Sequence, residues 1–230
     1  MKKIVVLTGA GISAESGIST FRDANGLWEN HDIMEVASID GWHKNPSLVL
    51  EFYNQRRKQL KEVSPNAAHH FLKYLEKDFE VMIVTQNVDN LHEKAGNKYI
   101  IHLHGELLKA RSEKDEKLIY DWHEDINLGD LADDSSQLRP HIVWFGEMVP
   151  LLEDAAKEVE SADILLIIGT SLQVYPAASL IHYLKDDRPI YLIDPNEMNL
   201  GFNLPNLTHI QKKATEGIKE LDEILNQFRQ

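Results

Sequence analysis

Short apolar runs recur at residues 4–7, 81–84, 99–103, 141–145, 164–168 and 190–193, each bounded by glycine, proline, asparagine or charge. Runs this short and this continuous are the pattern of parallel strands buried on both faces, because a strand with one wet face would alternate. Between several of them the spacing becomes helical, over residues 65–77, 151–161 and 176–184, the last with Pro176 where a first turn tolerates it. A stripe of Ile218, Leu221, Leu225 and Phe228 predicts a terminal helix laid on the sheet. This order predicts an α/β fold, a parallel sheet with helices on both faces.

Two stretches depart from the pattern. Residues 25–63 carry no strand signal but hold one helix, with Asn45 placed to cap it, Pro46 at its first position and a body running to about Leu60. Residues 109–137 are acidic, rich in Ser and Asp and poor in core residues apart from Leu118-Ile119-Tyr120 and Trp122, and read as a weakly cored excursion. The expected organisation is one unit over 1–230. Its core comprises about 1–24, 64–105 and 140–230, and a smaller helical and irregular domain arises from insertions at about 25–63 and 106–139.

Composition narrows the chemistry. A chain of 230 residues can bury a full core, and 24 Lys+Arg against 37 Asp+Glu, net −13, argues against a backbone-driven grip on nucleic acid and suits basic protein surfaces. With no cysteine, disulfides, thiolate zinc ribbons and thiol catalysis are excluded. No apolar run approaches the roughly 20 residues of a membrane span, and Met1-Lys2-Lys3 leads straight into a strand-like run. The expectation is a cytoplasmic protein with no membrane partner, of open oligomeric state.

The chemistry lies where strands end. Gly9-x-Gly11-x-x-Ala14 follows the first strand and fits the dinucleotide pattern, in which backbone N–H groups and a helix N-terminus approach a pyrophosphate. Gly9, Ala10, Gly11 and Ser13 are the candidates, and Arg22 after Phe21 could add a bidentate phosphate contact or be solvated. An ordinary dehydrogenase would end its second strand in an acid; Trp28-Glu29-Asn30 stands there instead, inside a loop, which weakens that reading. Gln86, Asn87 and Asp89 can hydrogen-bond a ribose and an amide, or cap a helix starting near Asp89. His104, at a strand end before Gly105, suits a general base with an ordinary pKa of about 6.5. Gly169-Thr170-Ser171, and Asn196 after Ile193-Asp194-Pro195, offer donors to phosphate or ribose oxygens, or plain turn chemistry.

In order along the chain, Gly9-Ala10-Gly11-Ile12-Ser13-Ala14-Glu15-Ser16-Gly17-Ile18, Thr20-Phe21-Arg22, Thr85-Gln86-Asn87-Val88-Asp89-Asn90-Leu91-His92, His104-Gly105, Arg139-Pro140, Val143-Trp144-Phe145-Gly146-Glu147 and Gly169-Thr170-Ser171-x-x-Val174-x-Pro176-Ala177 resemble the sirtuins, NAD-dependent protein deacylases. The resemblance implies a Rossmann domain plus a small domain, with NAD and acyl-lysine meeting between them. By it, Gly9, Ala10, Gly11, Ser13, Arg22, Gln86, Gly169, Thr170, Ser171, Asn196 and Ala214 would hold NAD. Asn87 and Asp89 would face the nicotinamide ribose and carboxamide, and Phe21 would shield C1′. The acyl oxygen would attack C1′, and His104 would deprotonate the ribose diol. Products would be free lysine, nicotinamide and 2′-O-acyl-ADP-ribose. Val143 would contact the substrate, whose peptide would lie as an added strand between Phe145-Gly146-Glu147 and Gln173-Val174-Tyr175. Alternatives on the same scaffold are an NAD hydrolase or ADP-ribosyltransferase, and a non-catalytic NAD or ADP-ribose sensor.

The chain differs from most sirtuins in having none of the four zinc-binding cysteines between His104 and Val143, so no metal is expected; Asp121, His123, Glu124 and Asp125 read as solvated surface. Ser19 stands where proline is usual. Tyr53 and Arg56 share a helix face, and Tyr-x-x-Arg resembles class III sirtuins, which remove succinyl and malonyl groups. A phenol and a guanidinium suit an acyl carboxylate, and Ala37 matches the small residue that widens the class III pocket. Arg57 is assigned to solvent.

Overall fold

A computed structural model of the chain describes residues 1–19, 27–28, 31–197 and 204–229. Along the chain come β1 (Lys3–Thr8), α1 (Ala10–Ala14), β2 (Leu27–Trp28), β3 (His31–Asp32), α2 (Ile33–Val36) and α3 (Ile39–Lys44). Next are α4 (Pro46–Glu62), α5 (Ala67–Leu75), β4 (Glu80–Thr85), α6 (Leu91–Lys94) and β5 (Ile100–His102). Then follow β6 (Gly105–Ser112), β7 (Ile119–Asp121), β8 (Leu138–Ile142), α7 (Leu152–Glu160) and β9 (Ile164–Ile168). A 3₁₀ segment (Ala177–Tyr183), β10 (Ile190–Ile193), β11 (Leu207–Ile210) and α8 (Ala214–Leu225) complete the order.

The main sheet is six-stranded, ordered β11-β10-β9-β1-β4-β5, with every pairing parallel. Its strands are buried on both faces, as continuous apolarity demands. Ile4 and Val6 enter a core with α5 and α8, while Val5 and Leu7 enter one with α7 and the 3₁₀ segment. From β1 the chain builds outward to β4 and β5, then crosses back to β9, so the order reverses beside β1. Ligands bind at the carboxyl edge of such a reversal.

The helix after Asn45 forms as its sequence directs, with Asn45 Oδ1 accepting from the Leu48 N–H (3.2 Å) and Pro46 in the first turn. Its buried face, Val49, Leu50, Phe52, Tyr53 and Leu60, joins Trp42, Leu107, Ile142 and Trp144 in a third core. Four sequence expectations need correction here. Residues 109–137 are not simply an irregular excursion: β7, β6 and β8 form a three-stranded antiparallel sheet. Its strands mix charge with apolar residues, and one face is covered by α4, so no continuous run marks them. The 141–145 run belongs to this small sheet and the third core, not to the parallel sheet. Residues 25–63 include the short β2–β3 hairpin. Arg57 is 1% exposed, not solvated: Nε donates to the Leu107 carbonyl (3.1 Å) and Nη1 to Asn54 Oδ1 (2.7 Å), tying α4 to β6.

Candidate functional site

Three glycines let the strand ends of the reversal meet. A methyl group on Gly9 would stand 2.7 Å from Thr170 Cβ, one on Gly11 2.7 Å from Gly169 Cα, and one on Gly169 2.2 Å from the Ile12 nitrogen. Gly169 also has φ +67°, a left-handed backbone that favours glycine. The Gly9 N–H donates to Ile168 and the Gly11 N–H to Gly169 (3.1 and 2.8 Å). The glycine pattern thus joins β1 to β9 as well as opening the turn at Ala10.

The polar residues after β4 close over this turn. Asn87 Nδ2 donates to the Gly9 carbonyl (3.1 Å) and to Ser13 Oγ (3.2 Å), and Ser13 Oγ donates to Asp89 Oδ2 (2.9 Å). Asp89 Oδ1 accepts from the Leu91 N–H (3.0 Å), closing an Asx turn over the N-cap residue Asn90 just before α6 as well as facing the glycine turn. Burial raises the Asp89 pKa, opposed by these two hydrogen bonds. Gln86 Nε2 donates to Thr170 Oγ1 (3.2 Å), which also accepts from the Leu172 N–H (3.2 Å), binding the end of β4 to the end of β9. Asn196, beyond β10, donates both N–H and Nδ2 to the buried Asp194 (2.9 and 3.0 Å). Ala214 opens α8, which Glu15 holds against α1 by accepting from the Thr215 N–H and hydroxyl (3.0 and 2.8 Å). Ser171, half-buried, completes the arc, whereas Phe21 and Arg22, like Thr20, Glu29 and Asn30, lie outside the described residues.

His104 stands between the two sheets. Its Nδ1 faces the Gln86 carbonyl at 3.1 Å, and its own carbonyl accepts from Val143 (2.9 Å). Because a carbonyl only accepts, Nδ1 carries the hydrogen and Nε2 keeps the lone pair. Burial lowers the His104 pKa, partly offset by the Gln86 bond.

Val143 leads into the segment that the sequence marks for substrate. Trp144 Nε1 donates to the Tyr53 hydroxyl (2.9 Å), placing that buried phenol one residue from the His104 partner. Burial pushes the Tyr53 pKa well above its ordinary value, the Trp144 bond opposing. The Arg56 guanidinium lies over the Phe52 ring (4.4 Å) and acts electrostatically on Tyr53. Ala37 is buried in the same core and accepts from the Phe145 N–H (2.9 Å), while the Phe145 carbonyl accepts from Ile39 (3.1 Å). Both backbone groups of Phe145 are therefore occupied, and the exposed Gly146, φ +91°, is the outward-facing backbone of this turn. Val174, 38% exposed, accepts through its carbonyl from Ala178 (2.9 Å).

The Glu147 side chain turns inward. It accepts from Arg139 (2.7 and 3.0 Å), Arg111 (3.0 Å) and the Trp144 N–H (2.8 Å), and Arg139 stacks 3.5 Å from the Trp144 ring centre. Despite burial, these cations hold the Glu147 pKa below the usual carboxylate range. Sequence reasoning missed Arg111 as a partner and missed His102, the last residue of β5, two before His104 in the turn that follows; its closeness in sequence to His104 was the available signal. Asp121 and His123 are exposed, and Glu124 and Asp125 pair with Lys61 and Lys58 (3.4 and 2.8 Å).

An NAD-dependent protein deacylase of Helicobacter pylori is 62% identical over 222 residues, covering 96% of this chain and 96% of that one. One of Bacteroides thetaiotaomicron is 52% identical over 231 residues, covering 98% of each. Among solved structures, a Sir2 homologue in complex with NAD superposes with TM-score 0.87 at 38% identity, covering 98% of this chain and 90% of that one. A mutant Sir2 homologue in complex with ADP-ribose gives TM-score 0.88 at 38% identity, covering 98% and 92%. Residues 9–176 match the Sir2 family, and on that match and these identities the chain belongs to it.

Proposed function

We propose that this protein is an NAD-dependent protein-lysine deacylase that prefers acidic acyl groups, succinyl or malonyl, over acetyl. The observation that carries the reading is the buried network of Asn87, Ser13 and Asp89 over the Gly9–Gly11 turn, with His104 presenting a free Nε2 beside it. The residues fit the dinucleotide: a turn with no room for Cβ atoms lets phosphates reach backbone N–H groups, and amide, hydroxyl and carboxylate groups match a ribose and a carboxamide.

Bound NAD supplies an electrophilic ribose C1′ with nicotinamide as its leaving group. Gly9, Ala10, Gly11, Gly169, Thr170 and Ser171 line the phosphate end, with Ser13, Gln86, Asn196 and Ala214 along the nucleotide and Phe21 and Arg22 assigned to it from sequence. Asn87 and Asp89 orient the nicotinamide ribose. His104 takes the proton of a ribose hydroxyl at Nε2, its Nδ1 fixed by Gln86. Val143, Gly146 and Val174 guide the acylated peptide, with Phe145 and Glu147 shaping the turn through Ala37 and the arginines. Tyr53 and Arg56 receive the acyl carboxylate beyond Trp144, where a charge-assisted bond to each is worth roughly 1.5–3 kcal/mol. The module between His104 and Val143 stands without a structural zinc in this reading, since Ser112, Asp134 and Ser136 tie it by hydrogen bonds.

The test is a parallel assay of acetyl- and succinyl-lysine peptides with NAD, following nicotinamide and the mass of the nucleotide product. The expected result is a higher kcat/KM for succinyl-lysine and an acylated ADP-ribose. Nicotinamide release that ignores the acyl-lysine, or free ADP-ribose alone, overturns the deacylase; equal rates overturn only the acyl preference.

A further inference from the structure

Two residues before His104 stands a histidine that this chemistry does not use. His102 ends β5 opposite Thr85, is 9% exposed, and presents Nδ1 to the Asn87 carbonyl at 3.1 Å and Nε2 to Glu93 Oε1 at 2.7 Å. His104 meets the preceding carbonyl, that of Gln86, at the same 3.1 Å. An imidazole at the end of β5 and another in the turn after it therefore grip consecutive carbonyls of the segment that carries Gln86, Asn87 and Asp89.

Counting hydrogens fixes the state of His102. The carbonyl only accepts, so Nδ1 carries a hydrogen; an ionised carboxylate only accepts, so Nε2 carries another. A ring with both is an imidazolium in a charge-assisted pair with Glu93. Burial opposes this charge, but Glu93 outweighs it and the His102 pKa rises; Glu93 in turn is lowered by His102 against its own burial. The other groups facing the ring are Glu106 of β6, matched by Lys109 at 2.7 Å, the deeply buried His92 of α6, whose pKa burial depresses, and Asp89.

We propose that the His102–Glu93 ion pair is a positioning element for the nicotinamide-ribose end of the site, fixing the Asn87 carbonyl and setting a positive charge beside the buried Asp89 carboxylate. The inference rests on the NAD reading of that site. It acts through Asn87 and Asp89 and touches neither dinucleotide nor acyl group. A neutral ring can donate from one nitrogen only, so removing the second proton releases either Asn87 or Glu93. NAD capture should therefore weaken as pH rises through that deprotonation.

NAD is titrated calorimetrically into the protein and its Glu93→Gln, Glu93→Asp and His102→Gln variants between about pH 6.5 and 9.5, a range spanning the ordinary histidine pKa and values above it. The Glu93 side chain is 39% exposed, so its replacement spares the fold. In Glu93→Gln the alkaline midpoint of NAD affinity should move to lower pH and affinity at the parent's midpoint should fall by about tenfold, with Glu93→Asp retaining most of it. An unmoved midpoint in Glu93→Gln, or affinity lost equally at every pH alongside melting temperature, overturns the proposal. Nitrogen NMR of the His102 ring should show two protonated nitrogens at about pH 6.5, the ordinary histidine midpoint, in the parent protein; a singly protonated ring there overturns it without reference to NAD. A parent that binds NAD but releases no nicotinamide with acyl-lysine overturns the deacylase reading and leaves these arms to decide the clamp. A parent that binds no NAD overturns both.

Discussion

At the scale of single residues, His104 is held as a neutral base with its tautomer chosen by a backbone carbonyl. His104→Asn should lower kcat by about 10²–10⁴-fold with the melting temperature little changed. Because burial depresses the His104 pKa, the base form persists below neutrality, and the acid limb of kcat/KM should fall at or below about pH 6.5; a limb centred above pH 7 would reject His104 as the base. Arg56→Met should lower kcat/KM for succinyl-lysine at least about tenfold, a loss of about 1.4 kcal/mol or more, and for acetyl-lysine less. Equal losses would reject a carboxylate-binding role. Gly9, Gly11, Gln86, Asn87, Asp89 and His104 were legible because each sits directly after a strand, so local sequence placed them. His102 and Arg57 were not: their roles depend on Glu93, Asn87 and Leu107, acceptors that only the folded chain brings close.

Among the elements, the parallel strands were legible because burial on both faces leaves an unbroken apolar run, and α4 because Asn45 and Pro46 mark its start. The small sheet was not, since Lys109, Arg111 and Asp121 interrupt it and its covering layer comes from α4, far off in sequence. Its far end is tied by Ser112, 1% exposed, whose Oγ donates to Asp134 (2.7 Å) and accepts from the N–H groups of Lys114 and Asp115 (3.0 Å each). Ser112→Ala should cost about 1–3 kcal/mol, visible as a lower melting temperature, while NAD affinity holds. One residue back along β6 from Ser112, Arg111 and its cross-strand neighbour Arg139 share Glu147, and Glu147→Gln leaves both buried arginines short of their counter-ion. A loss of about 3–5 kcal/mol and a raised KM for peptide are expected, with KM for NAD less affected.

For the molecule as a whole, stability should depend on pH through the buried imidazoles of His69 and His92, whose rings lie 5.0 Å apart beneath the site. Burial lowers His69 to about 4 and His92 well below its ordinary value, so between about pH 6.5 and 4 the unfolded chain binds protons that the folded one refuses. Stability is therefore full above about pH 6.5 and falls as pH drops, by about 2 kcal/mol at pH 5 from His69 alone. His102 works in the opposite sense: its raised pKa adds stability that is complete below about pH 6.5 and fades as pH climbs through the folded value. Melting curves at pH 7 and 5 should show the acid loss, and His69→Gln should flatten it; an unchanged slope would reject the assignment.

The contact of Gly9 and Gly11 with Gly169 also governs how the protein is made. On the ribosome, the first turn emerges early but finds the strand it rests on only when β9 has been synthesised. Until then β1 has β4 on one side and an open hydrogen-bonding edge on the other. The turn at Gly9 and Gly11 thus stays without its far wall through most of synthesis, until residues 164–169 are made.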